Sequence, residues 1–74
     1  MLLNNKALTP GKFYKAKDGS VWCCFRVWST DSEYAQADCV QIRTSQIECF
    51  FLDGRYDREG LHKLNLIQEV PYEA

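Results

Sequence analysis

Apolar and polar residues alternate with a period of two along most of this chain, and no stretch keeps the 3.6-residue period of a helix for long enough to form one. Five runs carry the alternation: residues 12–16, 20–28, 36–43, 46–52 and 64–70. Turn residues bound each of them. Thr9-Pro10-Gly11 precedes the first run. Lys17-Asp18-Gly19 separates the first from the second, and an Asp-Gly pair between apolar runs is the strongest short-range hairpin signal, because both turn positions tolerate positive φ. Thr44-Ser45 and Asp53-Gly54-Arg55-Tyr56 punctuate the later runs. Pro71 stops the last one, since proline cannot donate to a ladder. Residues 29–35 are polar and aperiodic, which predicts a loop. Residues 57–61 predict one 3-10 turn ending near Gly60.

The second run, Ser-Val-Trp-Cys-Cys-Phe-Arg-Val-Trp, is the richest in β-branched and aromatic residues and holds both tryptophans. Extended backbone sends successive side chains to opposite faces. Val21, Cys23, Phe25 and Val27 then form a core face, and Trp22, Cys24, Arg26 and Trp28 form the other. The fourth run is apolar on both faces, Ile47, Cys49 and Phe51 against Phe50 and Leu52, as in a central or curled strand of a small barrel. Five short strands with frequent turns predict an all-β fold, a small five-stranded antiparallel curled sheet or SH3-like barrel. Curling covers both faces better than a flat sheet of this size would.

With 74 residues the chain makes one domain, residues 1–74, with 1–8 and 71–74 frayed at its ends. A domain this small buries roughly 60% of its unfolded surface, so its stability is marginal and a second copy would help to cover apolar area. Nine basic and ten acidic residues give a net charge of −1, which steers the chain toward neither nucleic acid nor an anionic membrane. The N-terminal residues lack the ~7–15-residue apolar core of a secretion signal, and no window approaches the ~18 apolar residues of a membrane span. A cytoplasmic protein is expected. Its four cysteines are then expected to be reduced, with Cys23, Cys39 and Cys49 acting as small buried hydrophobes.

No catalytic or metal constellation emerges. Cys23 and Cys24 are adjacent, so on a strand their thiols diverge, whereas zinc needs converging ligands from paired C-x₂₋₄-C elements. His62 is the only histidine, and only tertiary coincidence would bring it beside a cysteine nucleophile; a surface or turn histidine is the expected reading. Phosphate-binding loops, dinucleotide fingerprints and hydrolase elbows are absent. The chain is read as a non-enzyme without a cofactor or metal.

Two groups remain as candidate binding residues. Trp22, Arg26 and Trp28 share one strand parity, and tryptophan and arginine are enriched at interface hot spots. The competing reading is that the strand is buried on both faces and that a tryptophan packs under the 29–35 loop. Arg55, Tyr56 and Arg58 lie on one turn, where arginines suit bidentate phosphate contact. The competing reading there is local pairing with Asp53 and Asp57, with Tyr56 covering the barrel end.

Taken together, Thr9-Pro10-Gly11-Lys12-Phe13-Tyr14-Lys15-Ala16-Lys17-Asp18-Gly19, Phe51-Leu52-Asp53-Gly54-Arg55-Tyr56 and Leu64-Asn65-Leu66-Ile67 resemble a group of short proteins of bacteriophages and prophages. That group has an aromatic strand ending in a basic-Asp-Gly turn, a Gly-Arg-Tyr-like turn and an Asp-Leu-Val-like closing strand. The resemblance runs from residue 9 to about residue 70, and Asn65 stands where the group has an aspartate. No activity is assigned to the group, so no catalytic residue carries over. What the resemblance implies is a phage-encoded interaction protein that binds and inhibits a host bacterial protein, such as an antiviral defence component, in the manner of an anti-CRISPR-type inhibitor. Alternatives are a binder that sequesters a nucleotide signal and a single-stranded nucleic-acid module. The acidic net charge disfavours the last.

Overall fold

A computed structural model describes residues 7–28, 35–57, 59 and 62–71. Five strands follow one another: β1 (Phe13–Ala16), β2 (Val21–Val27), β3 (Gln36–Gln41), β4 (Ile47–Phe51) and β5 (Leu66–Val70). All pair antiparallel in one sheet of order β4-β3-β2-β1-β5. The first four form a meander, and β5 returns to lie beside β1. The expected all-β, five-stranded curled sheet is therefore what forms, as a strongly curled half-barrel. No helix occurs among the described residues, and none is long and apolar enough to cross a membrane. Residues 58, 60 and 61 of the 3-10 turn expected at 57–61, and residues 29–34 of the expected 29–35 loop, lie outside the described residues.

The turns close the strands as their residues allow. Gly19 donates to the Ala16 carbonyl and Ala16 to the Ser20 carbonyl, so the hairpin loop is 17–19. Only Gly19 takes positive φ there, +92°, which differs from the two-residue expectation. This is a turn followed by a left-handed glycine, a loop type that also matches strand twist. The Asp18 carboxylate accepts from both the amide and the hydroxyl of Ser20 and fixes the turn. The β3–β4 loop, 42–45, ends on Ser45 at φ +62°.

β4 and β5 are the two sheet edges and do not pair with each other. The segment after β4 spans the gap instead. Phe51 donates to the Arg55 carbonyl, and Leu66 donates to the Gly54 carbonyl. Asn65 is buried, and its side-chain oxygen accepts from the Tyr56 amide at 2.8 Å. β4 is thus an edge strand of the curled sheet rather than a central one, and its second apolar face is only partly covered, with Ile47 60% accessible and Cys49 and Phe51 half-buried.

The core fills the inside of the curl: Leu8, Tyr14, Ala16, Trp22, Cys24, Ala37, Cys39, Phe50 and Leu66. Leu8 was expected in a frayed lead-in, but it is buried and donates to the Leu52 carbonyl at 2.9 Å. Trp22 meets Phe50 edge-on with ring centroids 5.2 Å apart, and Phe50 meets Tyr56 in the same way at 5.7 Å.

Candidate functional site

The strand expected to present Trp22, Arg26 and Trp28 together divides them. The β2–β3 register pairs Cys24 with Cys39 and Arg26 with Asp38, which leaves Phe25 as an extra residue. Such a bulge sets two residues against one and reverses the side-chain parity beyond it. Before the bulge, Trp22 and Cys24 face the core and are fully buried. Beyond it, Val27 packs against the core while Trp28 is 56% exposed. The expected assignment of faces therefore holds beyond the bulge, where Arg26 and Trp28 point out and Val27 points in, and is corrected before it and at Phe25. Val21 and Cys23 are only half-buried, Phe25 is exposed, and Trp22 cannot meet a partner.

Burial of Trp22 is made tolerable by a polar chain. Its indole N–H donates to the Ser20 hydroxyl at 2.8 Å, and that hydroxyl donates to Asp18. A buried indole needs such a partner. The Tyr14 hydroxyl likewise accepts from the Thr9 amide at 2.8 Å, and burial raises its pKa.

On the outside, Arg26 and Trp28 do come together. The Arg26 guanidinium carbon lies 3.7 Å from the Trp28 ring centroid. The Trp28 indole N–H donates to the Asp38 carboxylate at 3.1 Å. Asp38 was not singled out in the sequence, although it is the cross-strand partner of Arg26. Arginine above the ring and aspartate at its edge hold the indole in one orientation. An exposed side chain held this way loses less entropy when a partner covers it.

This triplet borders an apolar row. Directly opposed residues share a face. The pairs Val70–Phe13, Phe13–Cys23, Cys23–Val40 and Val40–Ile47 therefore run across all five strands on the outer face. None of these five residues belongs to the core. Phe25 and Ile42, 47% and 50% accessible, add to the apolar surface. The alternation within each strand was visible in the sequence, but the row depends on register.

Arg55 and Tyr56 of the second candidate group are engaged within the chain. Arg55 Nε lies 2.7 Å from the Asp53 carboxylate, and the guanidinium sits 5.1 Å from the Phe51 ring centroid. The Tyr56 hydroxyl donates to Glu48 at 2.9 Å, a contact that raises the Tyr56 pKa because it stabilises the phenol. The Tyr56 ring also lies 4.4 Å from that of His62. Arg58 lies outside the described residues. The local pairing and barrel-end cover weighed against phosphate binding are what Asp53, Arg55 and Tyr56 do.

The thiols follow the same inside-outside division. Cys24 and Cys39 oppose each other in the core. Their mutual hydrogen bond, with burial, holds the Cys39 proton far above the ordinary thiol range. Cys23 and Cys49 are half-buried, and burial raises both. All four are free, and among the described residues no cluster of three metal-ligating side chains forms.

No family model, curated protein or solved structure matches the chain.

Proposed function

We propose that this chain is a non-enzymatic binding module that docks the outer face of its sheet onto a partner protein. The observation that carries the reading is the exposed indole of Trp28, held between Arg26 and Asp38 beside an apolar row that crosses the sheet. Rigid aromatic anchors next to arginine are the chemistry of interface hot spots. The finer reading is a phage-encoded protein that works in the host cytoplasm and inhibits a host protein, such as an antiviral defence component. It draws on the resemblance of the turns at 9–19 and 51–56 to short phage proteins. Inhibition requires only that the docked face cover a surface the host protein needs.

Nucleotide sequestration through Arg55 and Tyr56 has less support, because Asp53 and Glu48 already engage those side chains. Affinity capture from bacterial lysate, with bound proteins identified by mass spectrometry, tests the proposal. The parent chain retains a host protein, and Trp28→Ala and Arg26→Ala each lose it. Equal retention of the same protein by parent and Trp28→Ala would overturn the reading.

A further inference from the structure

At the other end of the outer face, away from Trp28, a groove of about 840 Å³ crosses β3, β2, β1 and β5. Phe13, Val21, Ile42 and Val70 supply its apolar floor, and Lys15 and Arg43 stand over it. Neither cation forms an ion pair with another described residue. Asp18 is the carboxylate at the groove, and it is turned toward Ser20 by two hydrogen bonds. Counted with Arg26, the outer face and its groove set three cations beside two carboxylates, Asp18 and Asp38, each engaged by hydrogen bonds, although the whole chain carries −1. Two cations thus stand over an apolar floor in a chain whose net charge is negative.

We infer that this groove takes an extended acidic and apolar segment of a partner protein. The inference rests on the binding-module reading and names the chemistry of the segment. From β5 to β3 the groove crosses three strand spacings, about 14 Å, which is the span of about four extended residues. Apolar side chains of the segment cover Val21, Ile42 and Val70, while its carboxylates meet Lys15 and Arg43. A polyanion such as single-stranded nucleic acid would pair with the cations and leave the aliphatic floor bare. A second copy docking through the same face would bring like cations toward one another, which costs affinity.

Fluorescence anisotropy with labelled peptides tests this on the full chain. The probes are a peptide alternating glutamate and leucine, its lysine and leucine counterpart, and a labelled oligothymidine. The glutamate peptide binds, and its affinity falls with added salt. Lys15→Glu and Arg43→Glu each weaken it about tenfold. Lys12→Glu, the same charge change on an exposed residue outside the groove, leaves it unaltered, and circular dichroism establishes that each variant is folded. Equal binding of the two peptides, no binding of either, or indifference to both groove substitutions would overturn the inference. So would oligothymidine binding that Lys15→Glu and Arg43→Glu abolish while the glutamate peptide stays unbound, or a concentration-dependent dimer that those substitutions dissolve. A host protein captured through Trp28 that ignores both substitutions leaves the binding module standing and removes the groove from it.

Discussion

Trp22 lies on β2 and Trp28 directly follows it, at an even spacing, yet one is the centre of the core and the other is the most exposed aromatic among the described residues. Trp22 is surrounded, meets Phe50 edge-on, and has its N–H satisfied by Ser20. Trp28 has a cation against its ring and a carboxylate at its edge, and is 56% exposed. The difference comes from Phe25, the extra residue between Cys24 and Arg26. One inserted residue converts a single mixed face into an inner face that stabilises the fold and an outer face that is available for recognition.

That contrast predicts unequal costs of substitution. Trp22→Ala should cost about 3–5 kcal/mol in denaturant unfolding, enough to leave much of a small domain unfolded. A loss below ~1 kcal/mol would mean that Trp22 is not the centre of the core. Next comes Ser20→Ala, which strips the buried indole N–H of its acceptor and should cost about 1–3 kcal/mol. If Ser20→Ala unfolds at the same denaturant concentration as the parent, the indole has another partner.

Acid should act on the same corner. The hydrogen bonds from Ser20 hold the Asp18 pKa below its ordinary 3.8. A carboxylate depressed in this way stabilises the fold above its unfolded pKa and stops doing so as pH falls through the folded one. Stability measured from pH 5 downward should therefore decline below about pH 4, and Asp18→Asn should lose part of that decline. An identical acid profile for Asp18→Asn would contradict the assignment. Trp28→Ala, by contrast, removes an exposed cation–π contact worth about 0.5–1 kcal/mol. A stability loss as large as that of Trp22→Ala would erase the distinction between the two faces.

Thiol accessibility gives the smallest and most local comparison. Cys23 and Cys49 should react with a thiol reagent in the folded chain, slowly because burial raises their pKa values. Cys24 and Cys39 should react only after unfolding. Four thiols reacting at one rate under native conditions would show that the core opens readily.

Five strands, their order along the chain and the Asp18-Gly19 hairpin were legible because turn residues and period-two alternation are local signals. The faces of β3 were legible for the same reason: Ala37 and Cys39 point in, and Asp38 and Val40 point out. The bulge was not. No glycine or proline marks it, and Phe25 is a good strand residue, so only the Arg26–Asp38 pairing reveals it. An error of one residue then carried Trp22 to the wrong face. The engagement of Arg55 and Tyr56 was only half legible. Asp53 lies nearby in sequence, whereas Glu48 reaches Tyr56 from β4 through the fold. No local signal marks Lys15 and Arg43, because the groove between them joins strands distant in sequence.

The division of the two indoles can be measured directly by acrylamide quenching of tryptophan fluorescence, parent against Trp28→Phe, a substitution at an exposed position. The parent should show one readily quenched and one protected emission, and Trp28→Phe should keep only the protected one. A Trp28→Phe chain quenched as readily as the parent would contradict the account, because Trp22 would then be on the surface and β2 would run without its bulge.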